Sequence, residues 1–79
     1  MEIQTIKKEL LEVIGEYVEI PADFDTSLSL KMDAGLNSFA LMSLAAAIEE
    51  HFDISIPNAD LMSFKNADDI IKYIYAAKG

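Results

Sequence analysis

Apolar residues return at three- and four-residue steps near the start of the chain: Ile3, Ile6, Leu10, Val13, Ile14 and Tyr17, with Lys7, Lys8, Glu9, Glu12 and Glu16 between them. Such spacing places the apolar set on one face of a helix and the charges on the other, and it predicts a first helix from Glu2 to Val18. Pro21 is expected to end that helix, because proline disfavours helical geometry in the residue before it. From Pro21 to Asn37 no period is sustained. The segment reads as a loop longer than the usual connection of about 4–6 residues, and so as one that is functional or carries local structure. Leu28, Leu30, Met32 and Leu36 are expected to pin it to the core. A second stripe, Leu41, Leu44, Ile48 and Phe52, predicts a helix from Ser38 to about Phe52, supported by the strong propensity of Ala45, Ala46 and Ala47. Pro57 suits a helical first turn, and Asn58 to Met62 is long enough for a turn or so. Asn66 with Asp69 three residues on reads as an Asn/Asp variant of a capping box. Ala67, Ile70, Ile71 and Ile74 then form the apolar face of a helix from Asn66 to Ala77. Strand-like alternation is confined to Asp53-Ile54-Ser55-Ile56.

No repeat, low-complexity tract or linker divides the 79 residues, which are expected to form one domain, 1–79. Three long amphipathic helices and a short third one must bury their stripes against each other, so the expected fold is all-α, a small four-helix bundle with a long loop between its first two helices. Acidic residues number 14 against six lysines and no arginine, giving a formal net charge of −8. Such a surface repels nucleic acid and anionic membranes and favours basic protein partners. No run approaches the roughly 20 apolar residues of a membrane span. Met1-Glu2-Ile3 lacks a basic stretch leading into an apolar run, so no secretory leader is apparent. The expectation is a soluble, cytoplasmic monomer. With no cysteine, any thiol chemistry has to be imported.

The run Asp33-Ala34-Gly35-Leu36-Asn37-Ser38-Phe39 carries the candidate chemistry. Gly35 allows an unusual turn, Asn37 can cap the following helix, and Ser38 then lies in its first turn beside free amides. A phosphodiester on Ser38 would be favoured by those amides and by the positive end of the helix dipole. Taken alone, an ordinary capping-region serine fits the same residues. A Ser-His hydrolase does not: His51, the one histidine, is thirteen residues along the same predicted helix, a rise of roughly 20 Å. It reads as a solvated residue at the negative end of that helix, or as a contact for a partner. Asp23, Asp25 and Asp33 lack the central glycine and terminal glutamate of a calcium loop, and Asp68-Asp69 read as solvated or capping acids, so no metal site is assigned.

Asp33-x-Gly35-x-Asn37-Ser38-Phe39, followed by Glu49-Glu50-His51-Phe52-Asp53-Ile54-x-Ile56-Pro57, resembles the acyl carrier protein family nearly end to end. The resemblance implies a four-helix carrier, not an enzyme. Its Ser38 would receive 4′-phosphopantetheine from coenzyme A through a phosphopantetheinyl transferase, and the arm would carry acyl groups as thioesters in fatty acid, polyketide or related specialised biosynthesis. Asp33, Gly35, Asn37 and Phe39 would present the serine and meet partners. In that family acyl chains tuck between the helices, which points to Leu44, Ala47, Ile48, Ile56, Leu61, Met62, Phe64 and Ile71 as a pocket, all but Ala47 being core residues on the simpler reading. The chain departs from the family's pattern in having Asn37 where aspartate is usual, Phe39 for leucine, and Ala40-Leu41-Met42-Ser43 in place of acids. The expected partners are therefore a dedicated synthase, ligase or transferase with basic or apolar docking patches, met in part by Phe39 and Met42. A peptidyl, D-alanyl or aminoacyl carrier using the same arm, and an unmodified helical interaction module, are the other readings.

Overall fold

Each apolar stripe becomes a helix in the computed structural model, which describes residues 2–21 and 23–78. In chain order the helices are α1 (Ile3–Gly15), α2 (Ser38–Phe52), α3 (Asn58–Leu61) and α4 (Ala67–Lys78). Met1, the first residue of the stretch read for a leader, lies outside the described residues. The long helices are amphipathic, so none can stand alone, and α1 packs against both α2 and α4. One core results, built from Ile6, Leu10 and Ile14 of α1, Leu44 and Ile48 of α2, and Ile70 and Ile74 of α4. The Asp53 to Ile56 stretch forms no strand.

α1 ends sooner than its stripe suggests. The amides of Glu16 and Tyr17 turn to the carbonyls of Val13 and Ile14 at 3.1 and 2.9 Å, three residues back, and this tighter turn closes the helix at Gly15 well before Pro21. Tyr17, placed on the stripe by its spacing, is consequently exposed, as is Ile3 at the other end. α4 begins at Ala67 with Asn66 outside it as the cap. The Asp69 amide donates to Asn66 Oδ1 at 3.0 Å, while Asp69 Oδ2 accepts from the amides of Lys65 at 2.9 Å and Asn66 at 3.4 Å. The Asn/Asp capping box therefore forms, with one amide more than the pattern requires.

The segment between α1 and α2 is long, and hydrogen bonds tie it to the start of α4. Thr26 Oγ1 donates to Asp68 Oδ1 at 2.5 Å, the Asp68 amide donates to the Thr26 carbonyl at 3.0 Å, and the Leu30 amide donates to the Lys65 carbonyl at 3.0 Å. Ser29 and Asn66 form an isolated antiparallel bridge within this contact. Asp25 accepts from the hydroxyl and the amide of Ser27, and those bonds hold its carboxyl below the usual range. Leu30 and Leu36 are buried as expected, whereas Leu28 and Met32 are exposed; Phe24 and Ala34 take the pinning places instead. A register difference explains the swap. Turns rather than a strand or helix set which side chains face inward, so neither a period of two nor one of 3.6 applies.

At the far end of α2, Asp53 adopts the left-handed conformation with φ 55° and closes the helix. Glu49 then accepts the Ile56 amide at 2.8 Å, which fixes the approach to Pro57 and α3. The Tyr73 hydroxyl of α4 donates to Asp60 Oδ2 at 2.9 Å and lies 3.2 Å from the Ser55 carbonyl; the bond to Asp60 raises the phenol's pKa. His51 Nε2 sits 2.9 Å from Glu9 Oε1, so this histidine links α2 to α1 in addition to meeting solvent.

Candidate functional site

Residues 29 to 37 fold back on themselves immediately before α2. The Ser29 carbonyl accepts from the amides of Asp33 at 2.9 Å and Ala34 at 3.1 Å, and the Leu36 amide reaches the Leu30 carbonyl at 2.9 Å. Asp33 Oδ2 accepts from the Ser29 amide at 2.8 Å, and Ser29 Oγ from the Met32 amide at 3.2 Å. Gly35, with φ +78°, reverses the chain in a conformation that side chains other than glycine adopt at a cost. Asp33 thus braces the turn that delivers the serine. Its carboxylate is committed to the loop.

Asn37 follows in extended geometry, and its Oδ1 accepts from the Ala40 amide at 2.8 Å, the third residue of the helix. The Leu41 amide takes the Asn37 carbonyl at 2.9 Å as the first rung of the ladder. Between the cap and that rung, the amides of Ser38 and Phe39 have no partner among the described residues. Ser38 is the first residue of α2 and is exposed, and its hydroxyl makes no hydrogen bond with another described residue. No acidic side chain lies in this first turn. The arrangement is a free hydroxyl beside unpaired N–H donors at a positive helix end, which suits an oxygen that will bear a phosphodiester.

Among the described residues, no carboxylate or imidazole is hydrogen-bonded to that hydroxyl. His51 lies at the other end of α2 and is engaged with Glu9, and Asp33 is held by Ser29.

Of the eight residues read as a pocket, six (Leu44, Ile48, Ile56, Leu61, Phe64 and Ile71) are buried in the one core. Ala47 is half-buried and lines a surface hollow with Val13, Tyr17 and His51. Met62 is 70% exposed and borders, with Phe64, a different hollow edged by Ser29, Lys31 and Lys65. The pattern of the sequence left out Thr26 and Ser29, and read Asn66 only as a cap and Asp68 as a solvated or capping acid; together these four hold the serine's loop against α4, with Asp68 accepting from Thr26 Oγ1. The signal available was a demand: a long loop near the core must find partners for its backbone groups, and hydroxyl and carboxyl side chains are the ready ones.

A family model described as the phosphopantetheine attachment site matches residues 8–74. The chain is similar to the acyl carrier protein of Kineococcus radiotolerans, 29% identical over 77 residues that cover 96% of this chain and 95% of that one. It is 33% identical to the acyl carrier protein of Helicobacter acinonychis over 73 residues, covering 92% and 86% of the two chains. In fold it matches a solved acyl carrier protein from Enterococcus faecalis, with a TM-score of 0.81 at 21% identity over 96% of this chain and 98% of that chain.

Proposed function

The chain belongs to the family of phosphopantetheine-bearing acyl carrier proteins, and from that premise we propose that Ser38 Oγ is the atom to which the arm is joined. The observation that carries this is the exposed, unpartnered hydroxyl at the first position of α2, flanked by free amides. When bound, the arm supplies a terminal thiol on which acyl groups travel as thioesters. Attachment forms an oxygen–phosphorus bond from Ser38 to the pantetheine-side phosphorus of coenzyme A and breaks the bond from that phosphorus to the nucleotide phosphate. The serine proton leaves to a base of the phosphopantetheinyl transferase, since no described residue is hydrogen-bonded to the Ser38 hydroxyl.

Within that reading, Gly35 and Asp33 shape the approach, Asn37 holds the helix start, and Phe39 stands beside the serine. The partners are then the transferase and the acyl-transferring enzymes that load and unload the arm. For the cargo chain, we assign the six core residues Leu44, Ile48, Ile56, Leu61, Phe64 and Ile71 as the walls that would part to admit it. Their burial in one contiguous cluster supports the assignment, since a chain tucked between the helices would lie against those side chains.

Intact mass after incubation with coenzyme A and an active phosphopantetheinyl transferase tests the attachment point. The expected result is a single phosphopantetheinyl increment that is absent from Ser38→Ala. An unchanged wild-type mass, beside a control carrier that the same transferase modifies, overturns it and favours the unmodified interaction module.

A further inference from the structure

In a chain of net charge −8, two of the six lysines meet at one hollow. Lys31 and Lys65 both edge the depression between the serine's loop and the link from α3 to α4. A backbone bond puts them there: the Leu30 amide donates to the Lys65 carbonyl at 3.0 Å, and Lys31 is the next residue along. The Ser29–Asn66 bridge belongs to the same contact. Like charges gathered around one hollow repel, so the placement is unfavourable until something negative lies between them. Among the described residues neither ammonium forms a salt bridge with an acid.

The other walls supply a hydroxyl and an apolar side. Among the described residues no acid lines the hollow; Asp25, Asp33 and Asp69 accept from the backbone amides of Ser27, Ser29 and Lys65. Ser29 Oγ accepts from the Met32 amide, which leaves its own proton for a ligand. Phe64, almost wholly buried, and exposed Met62 give the hollow its apolar side. Its volume is about 360 Å³, within the range of roughly 300–1,000 Å³ for small-ligand sites. Such a set suits a small group with an apolar stem and an anionic tip.

We propose that this hollow receives the free end of the loaded arm, and that the cargo class it fits is an acyl group ending in a second carboxylate, a dicarboxylic half-thioester. The inference rests on Ser38 being the attachment point. An arm with the backbone length of about five residues spans up to roughly 17 Å, and the body measures 28 × 26 × 19 Å. Ser29, at the edge of the hollow, also braces the turn that delivers the serine, so the arm's free end sweeps the surface next to it. A charged tip is excluded from the core among Leu44, Ile48 and Ile71, where it would lose water without gaining a partner. In the hollow it keeps water on one side and meets two ammonium groups and a hydroxyl on the other.

The test uses the full chain, loaded from succinyl- or butyryl-coenzyme A by a broad-specificity phosphopantetheinyl transferase, with loading checked by intact mass. The two cargoes have equal carbon chains and differ by one carboxylate. The expected result is that the amide resonances of Leu30, Lys31, Lys65 and Asn66 move in the succinyl form relative to the butyryl form, and that the movement is lost when Lys31→Gln is combined with Lys65→Gln. Titration of an isotope-labelled succinyl carboxylate, followed by NMR at about 0.15 M NaCl, gives the second readout. Its midpoint should lie at least about half a pH unit lower in wild type than in that double variant. Lys8→Gln with Lys72→Gln removes the same charge from exposed sites on α1 and α4, and should move the midpoint by less than about two-tenths of a unit. Equal midpoints in the two double variants, or the same amide positions with both cargoes, overturn the proposal for the hollow and leave Ser38 in place. A wild-type chain that takes no increment at all overturns both.

Discussion

Gly35 shows how one residue can be judged without reference to its contacts. Nothing lies within 4 Å of where a Cβ would stand, yet its φ is +78°. Gly35→Ala therefore meets no steric neighbour, and its whole cost is backbone strain of about 1–2 kcal/mol. In a domain of this size each kcal/mol moves the melting midpoint by about 4–8 °C. A thermal melt of Gly35→Ala showing no drop would mean that the turn is not held at this φ in solution. Asn37 is the complementary case, since there the side chain matters and the backbone is ordinary extended geometry. Both residues were readable from the motif, because turn glycines and capping asparagines act locally.

At the scale of elements, the long segment before α2 behaves as a strap latched onto the start of α4. The latch is the double link between Thr26 and Asp68, with Leu30 and Lys65 beside it. Thr26→Val keeps the shape of the side chain and removes its hydroxyl, leaving the partly buried Asp68 carboxylate short of a donor. The expected loss is about 1–3 kcal/mol of stability, read by urea unfolding. Amide exchange should rise first at Leu30 and Leu36, the residues the latch brings to the core; equal exchange in both proteins would show that the strap is held by its leucines alone. Helix boundaries divide along the same line. α2 and α4 start where capping residues stand in the sequence, whereas α1 stops at Gly15 through a tightened turn that no capping signal announces.

For the whole molecule, charge opposes compactness. A net charge of −8, counted with histidine neutral, is spread over a body with a radius of gyration of 11.2 Å, and among the described residues no lysine forms a salt bridge with an acid. Self-repulsion is therefore screened by the solvent and hardly at all by internal pairing. Raising NaCl from about 0.02 to 0.3 M, where the Debye length falls several-fold, should raise the melting midpoint by several degrees. A midpoint that stays level or falls would indicate that the acids are not a net burden on the fold. No helix among the described residues is long and apolar enough to cross a membrane.

The sequence by itself determined the four helices, the apolar faces that meet, and the serine on display at the start of α2. Those properties follow from periodicity, capping and turn chemistry, which act over a few residues. Only the tertiary structure decided that Phe24 and Ala34 face inward while Met32 and Leu28 do not, that Thr26 finds Asp68, and that His51 finds Glu9. Each of these joins residues far apart in the chain, and no local rule fixes a pairing that exists only once the helices have packed and the loop has closed.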